Sequence, residues 1–188
     1  MVVTKRVTIA ISGTPGSGKT TYAIFLAERY GLRYVSNGQL FRQLAAERGY
    51  DLITFHKLAE RDRSIDEEID RRALELAKQG GIVIEGHLAV WVLKDVADIK
   101  IIFDAPLEVR ARRIAERDNK SFDEALREIV EREQSNALRA EKYYGLNIKD
   151  YRVADLVIST YPLDIESVKN VVAVFVDGYK KARSELFE

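Results

Sequence analysis

The sequence predicts a three-layer α/β fold built on a five-stranded parallel sheet, on three observations. Short β-branched runs alternate with longer helical periods, the pattern of βαβ units. Four of the five runs are nearly continuous in Val, Ile and Leu, as strands covered on both faces require. A length of 188 residues without repeat, low-complexity tract or linker suits one domain. The strands are expected at 7–11, 33–35, 82–85, 99–103 and 156–158. The helices are expected at 18–30, 39–48, 52–61, 65–79, 107–117, 122–144 and 165–184. Asp51 and Ser121 read as N-caps, and Glu124 three residues after Ser121 completes a capping box. Gly80-Gly81 stops a helix ahead of the third strand. Residues 36–79 are helix after helix, and 110–139 holds seven of the eighteen arginines.

Composition excludes several classes. Thirty Lys+Arg against thirty Asp+Glu give zero net charge, which argues against a nucleic-acid binder with its basic stripe. Without cysteine there is neither a disulfide framework nor a thiolate zinc site. Apolar runs of four or five residues fall far short of the ~20 that a membrane helix needs. No long apolar stretch marks a signal peptide at the start, so a soluble, cytoplasmic protein acting as a monomer is expected.

Gly13-Thr14-Pro15-Gly16-Ser17-Gly18-Lys19-Thr20 is a complete GxxxxGKT between the first strand and the first helix, followed by Thr21. Its glycines let the backbone wrap a phosphate, and the helix N-terminus adds its positive end. Lys19 neutralises the β- and γ-phosphates and the Thr20 hydroxyl ligates Mg²⁺ in this motif. The fold expected is therefore that of the P-loop NTPases, with ATP and Mg²⁺ as the bound groups. Neither an NKxD nor an LSGGQ segment is present, which disfavours GTPases and ABC ATPases.

Three further features choose among P-loop chemistries. After the second strand, the small and flexible Ser36 and Gly38 leave room for a second ligand, with Arg42 placed to clamp a phosphate. Glu85 ends a buried strand, where open α/β sheets bind ligands, and is positioned to hold a water of the Mg²⁺ shell. Arg113 and Arg117 share one helical face, as do Arg132 and Arg139, and arginines closing over a transferring phosphoryl stabilise its charge. His56 and Trp91 read as packing residues.

The motifs GTPGSGKT, Val35-Ser36-x-Gly38-x-x-Phe41-Arg42, Glu85-Gly86, and Asp104-Ala105-Pro106-Leu107-Glu108-Val109-Arg110 together resemble the short archaeal-type cytidylate kinases, a branch of the nucleoside monophosphate kinases. Arg132-Glu133-x-x-Asn136-x-x-Arg139 is similar to that family's lid-closing segment. The resemblance implies a core of 1–35, 80–116 and 141–188, a monophosphate-binding insertion at 36–79 and a short helical lid at 117–140. It implies transfer of the ATP γ-phosphoryl to CMP or dCMP. Ser36, Gly38, Arg42, Glu85, His87 and Asn136 would meet the acceptor, and Lys19, Arg113, Arg117, Arg132 and Arg139 would grip phosphates. The family usually carries EGRLAGW, whereas this chain reads Glu85-Gly86-His87-Leu88-Ala89-Val90-Trp91, and relatives often place an acid at the position of Asn136. His87 supplies no permanent charge, so AMP or UMP remains an alternative acceptor, and a non-enzymatic ATP-binding switch remains an alternative function.

Overall fold

The computed structural model describes residues 6–188. Its elements run β1 (Thr8–Gly13), α1 (Lys19–Tyr30), β2 (Arg33–Ser36), α2 (Asn37–Glu47), α3 (Leu52–Ala59), α4 (Ser64–Gln79) and β3 (Ile82–Glu85). They continue with α5 (Ala89–Val92), β4 (Ile99–Asp104), α6 (Leu107–Asp118), α7 (Phe122–Tyr144), β5 (Leu156–Ser159) and α8 (Ile165–Ala182). The five strands form one parallel sheet in the order β2-β3-β1-β4-β5. The predicted three-layer α/β architecture holds, and its strands differ from expectation by no more than two residues at an end.

Strand alternation divides the core into two layers. Ile9, Ile11, Val83, Ile101 and Phe103 pack on one face against Leu26 of α1 and Val168, Val172 and Val176 of α8. Ala10, Ile82, Ile84 and Ile102 pack on the other against Ala73, Ala77, Val90 and Trp91. Two smaller clusters lie outside these layers. Phe41, Phe55, Ile65 and Ile69 join α2, α3 and α4, and Ala111, Ile114, Ala125 and Ile129 join α6 to α7.

The caps read from sequence are present. Asp51 accepts from the Thr54 N–H, and Ser121 forms the complete box with Glu124. Helix boundaries depart from expectation by up to two residues. The predicted helix at 39–48 begins at Asn37, because Ser36 caps it by accepting from the Gln39 N–H at 3.2 Å. The last helix stops at Ala182, and a 3₁₀ turn at Ser184–Leu186 folds back so that the Val7 N–H donates to the Leu186 carbonyl at 2.6 Å. The four-residue α5 was not expected, being too short to show a helical period. Trp91 sits within it, buried as expected, with its Nε1 donating to the Asp150 carbonyl at 3.3 Å.

Leu26 is fully buried between α1 and the sheet. Leu26→Ala should cost ~2–5 kcal/mol through lost transfer energy and a residual cavity. In a chain of this size each kcal/mol lowers Tm by roughly 2–4 °C, so a thermal melt reads the effect directly. A melt shifted by less than about 2 °C would show that this layer is not tightly packed.

Candidate active site

The carboxyl ends of β1, β2 and β3 meet beside the first turns of α1 and α2, at the rim where parallel sheets bind ligands. Residues 13–20 form a tight turn whose glycines are dictated by contacts. A Cβ on Gly13 would lie 2.3 Å from the Phe103 carbonyl oxygen. Gly16 combines a φ of +82° with a Cβ position 2.8 Å from the Arg110 carbonyl oxygen. Gly18 stands at the N-cap of α1 with no side chain to satisfy the helix, leaving the first-turn N–H groups for a ligand.

One cavity opens from this turn. It is lined by Gly13, Pro15, Gly16, Lys19 and Thr20 from the turn, by Gly38 and Arg42 of α2, and by Glu85 and His87 around the end of β3. Arg117 of α6 and Arg132, Asn136 and Arg139 of α7 also line it. Burial pushes the Lys19 ammonium down to about 8; Glu85 opposes this, while Arg132, Arg42 and Arg117 reinforce it. The cavity therefore holds crowded positive charge.

Glu85 is the one carboxylate in the middle of that charge. Its Oε1 accepts from Ser36 Oγ at 2.5 Å, Thr20 Oγ1 at 3.2 Å and Tyr34 OH at 3.3 Å. Its Oε2 is buried with no partner. A threonine hydroxyl beside a carboxylate with a spare oxygen is the hard, oxygen-only donor set that a small divalent cation prefers.

The arginines divide into four groups. Arg42 carries no ion pair among the described residues and lies beside Gly38 at the start of α2. Arg117 is held by Asp118 at 2.7 Å and Arg132 by Glu128 at 3.2 Å, while the buried Arg132 Nε has no partner. Burial and the neighbouring Arg42 and Arg117 lower the Arg132 pKa, with Glu128 opposing.

Arg139 departs from the free phosphate clamp expected of it. It is fully buried, its Nη1 donates to both Asp66 oxygens at 2.6 and 2.8 Å, and its Nη2 donates to Asn136 Oδ1 at 2.8 Å. Only its Nε lacks a partner. Arg113 is not brought into the cavity at all. Its guanidinium donates to Thr160 Oγ1 and to the Thr160 carbonyl, both at 2.8 Å, and to the Gly16 carbonyl at 3.4 Å, so it braces the turn from behind.

Several other expected residues also lie outside the cavity wall. Ser36 acts through Glu85 and as the α2 cap, so the stretch read as a flexible approach is a helix start. Thr14 donates to Asp104 Oδ1 at 2.8 Å, and Ser17 is buried within the turn. Thr21 is exposed on α1, and Gly18 contributes backbone geometry only. His87 does line the cavity. Its Nε2 is buried without a partner, and burial, with Arg139, His56, Lys19 and Arg132 nearby, lowers its pKa well below the ordinary value, so it is neutral.

The sequence reading passed over three residues that the fold brings to this site, and gave a fourth, His56, only a packing role. His56 packs its ring 4.6 Å from Phe41 and faces Arg139 Nη2 through Nδ1 at 3.3 Å. Asp66 and Asp70, one turn apart on α4, both line the cavity. Arg110 is buried behind the turn, donating to the Pro15 carbonyl at 3.2 Å and to Glu133 Oε1 at 2.6 Å. A signal for the two aspartates exists: each follows a buried isoleucine, Ile65 or Ile69, at the same four-residue spacing.

The sequence model of the cytidylate kinase-like family matches residues 8–161. A cytidylate kinase of Methanocaldococcus jannaschii is 48% identical over 176 residues, covering 92% of this chain and 99% of the relative. One from Staphylothermus marinus is 45% identical, covering 93% and 99%. Among solved structures, a shikimate kinase from Acinetobacter baumannii in complex with shikimate superposes with a TM-score of 0.59 at 16% identity, over 94% of this chain and 96% of that one. That likeness is of fold. The five-stranded sheet, the GxxxxGKT turn and the length of the match with its curated relatives place the chain in the cytidylate kinase-like family.

Proposed function

We propose that this chain is an ATP-dependent cytidylate kinase that transfers the γ-phosphoryl group of ATP to the 5′-phosphate of CMP or dCMP. The observation that carries the reading is a single cavity with two cationic ends, each suited to a phosphate. One end is the glycine turn with Lys19, and the other is Arg42 at the start of α2, with Arg117 and Arg132 between them. A switch protein needs only the first end.

The reaction asks for alignment and charge neutralisation more than for covalent chemistry. The turn and Lys19 hold the donor phosphates, and the first turn of α2 with Arg42 holds the acceptor phosphate. Arg117 and Arg132 neutralise the charge that spreads over the equatorial oxygens of the transferring group. Thr20 and Glu85 would hold Mg²⁺, Glu85 through a water, and the cation would supply charge neutralisation at the donor phosphates. The residues fit that role because the Thr20 hydroxyl lies against Glu85, whose second oxygen is buried and unpaired. Residues 36–79 are read as the acceptor-binding insertion and 117–140 as the lid that excludes water. Enclosure matters because water competes with the acceptor for the phosphoryl group. A cytoplasmic monomer with nucleotides as its only partners completes the reading; among the described residues, no helix is long and apolar enough to cross a membrane.

The test is a steady-state screen of ATP with CMP, dCMP, UMP, AMP and GMP. CMP and dCMP should give the highest kcat/KM, and equal turnover of AMP would reassign the acceptor.

Arg42→Ala should raise the KM for CMP by ~10–100-fold while leaving that for ATP nearly unchanged, as loss of a charge-assisted phosphate contact predicts. Equal effects on both substrates would remove Arg42 from the acceptor end.

The lowered Lys19 pKa sets an alkaline limit. In the free enzyme the ammonium loses its proton near pH 8, so kcat/KM for ATP should fall above that point. Bound phosphates favour the charged form, so kcat itself should hold to higher pH. Superimposable alkaline limbs for the two parameters would show that the bound anion does not restore the Lys19 proton.

A further inference from the structure

Granted the function proposed above, we infer that Asp70 reads the acceptor base: its carboxylate accepts a hydrogen bond from an exocyclic amino group, such as N4 of cytosine, and rejects a carbonyl in the same place.

The argument starts from what the cavity does with negative charge. Lys19, Arg42, Arg117 and Arg132 define the ends that suit phosphates. A carboxylate that neither holds a cation, as Glu85 would, nor is paired repels phosphate, so such an aspartate on the wall of a nucleotide cavity faces the uncharged part of its ligand. Two aspartates line this one, Asp66 and Asp70, with Ile69 between them in sequence and Phe41 also on the wall. The apolar surface of Phe41 and Ile69, both buried, suits a flat base better than a ribose.

Asp66 is already spent, because Arg139 Nη1 lies within 2.8 Å of both its oxygens. Asp70 is not. Tyr144 OH donates to Asp70 Oδ2 at 2.7 Å, and among the described residues no group donates to Oδ1. One oxygen is therefore anchored from α7 while the other remains an acceptor without a donor. An ionised carboxylate accepts only, so it pairs with an amino group and meets the lone pairs of a carbonyl with repulsion. Leaving a buried polar group unpaired is the strongest form of rejection a site can apply. His87 cannot do this work by charge, since its imidazole is neutral.

Protonation would undo the selection. Asp70 is raised to about 6 by burial first; Asp66 on its own helix pushes the same way, while Tyr144 and Arg139 from α7 oppose. Arg63 lies over the Tyr144 ring, and the neutral His56 and His87 stand on the walls of the same cavity. Above this pH Asp70 is an acceptor that excludes uracil O4; below it the protonated carboxyl becomes a donor that tolerates O4.

The experiment compares kcat/KM for CMP, UMP and dCMP in the wild type and in Asp70→Asn between pH 5 and 8. Both ribonucleotides carry the same phosphate ionisation near pH 6, so it cancels in their ratio. The wild-type CMP:UMP ratio should fall as pH drops through about 6. Asp70→Asn, whose amide both donates and accepts, should lower the ratio at least ~10-fold at pH 8 and remove its pH dependence. Tyr144→Phe deletes a donor to the carboxylate and should move the midpoint of the ratio to higher pH, which a merely structural role for Asp70 would not do. An Asp70→Asn protein that melts like the wild type with an unchanged CMP:UMP ratio overturns the inference. So does a change confined to the CMP:dCMP ratio, which would place Asp70 at the ribose. If Asp70→Asn does not fold, an unmoved midpoint in Tyr144→Phe overturns it instead. A wild type without CMP activity overturns the proposed function as well, whereas CMP activity with an unmoved ratio overturns this inference alone.

Discussion

Glu85 ties the sheet to both ends of the cavity. Parallel register sets it beside Ile11 of β1 and Ser36 of β2, at the carboxyl end of the middle of the sheet. From there one oxygen takes hydroxyls from Thr20 at the start of α1 and Ser36 at the start of α2. The two helices whose N-termini face the cavity are thus tied to the same buried carboxylate. A one-residue slip of β3 would turn this side chain to the other face and separate the two ends.

Around that carboxylate the cavity concentrates cations that lack full compensation. Lys19, Arg42, Arg117 and Arg132 share a space with Glu85, and the lowered pKa values of Lys19 and Arg132 record the cost of burial there. A polyanionic ligand would relieve that repulsion, since its charge opposes that of the crowded cations. The helix that supplies Arg132 spans the distance physically. Along α7, Glu133 pairs with Arg110 behind the glycine turn, while Arg139, Lys142, Tyr143 and Tyr144 bond to Asp66, the Glu60 carbonyl, the Ala59 carbonyl and Asp70. This one helix therefore reaches the glycine turn through Arg110 and bonds directly to the α3–α4 unit.

The fold was legible because its signals are local. Buried parallel strands are runs of β-branched residues, caps are single side chains, and the GxxxxGKT turn is contiguous, so strands and caps were placed to within two residues. The site was legible only where a residue announces itself by type within a motif. Arg113 and Arg117 look alike in sequence, four apart on one helix. Thr160, far along the chain, takes the first, while the second reaches the cavity. Asp66 was passed over for the same reason, since its partner Arg139 lies 73 residues away. Ser36 was read as slack when it is a cap, because small polar residues serve both purposes.

The zero net charge of the chain acquires a meaning in this light. Outside the cavity, opposite charges meet one another: Arg63 with Glu67, Arg71 with Glu75, Arg29 with Asp177, Lys169 with Glu166. Exposed pairs of this kind contribute ~0–1 kcal/mol each and leave little field behind. Inside the cavity the matching is incomplete: Lys19 and Arg42 carry no ion pair among the described residues, and the buried Nε of Arg132 and Oε2 of Glu85 have no partner. Overall neutrality therefore supplies no net long-range attraction for polyanions, while the local mismatch concentrates positive charge inside the cavity. Of the two α4 aspartates on its wall, Asp66 is taken by Arg139, and Asp70, whose Oδ1 meets no donor among the described residues, is left to face the neutral end of an anion bound there.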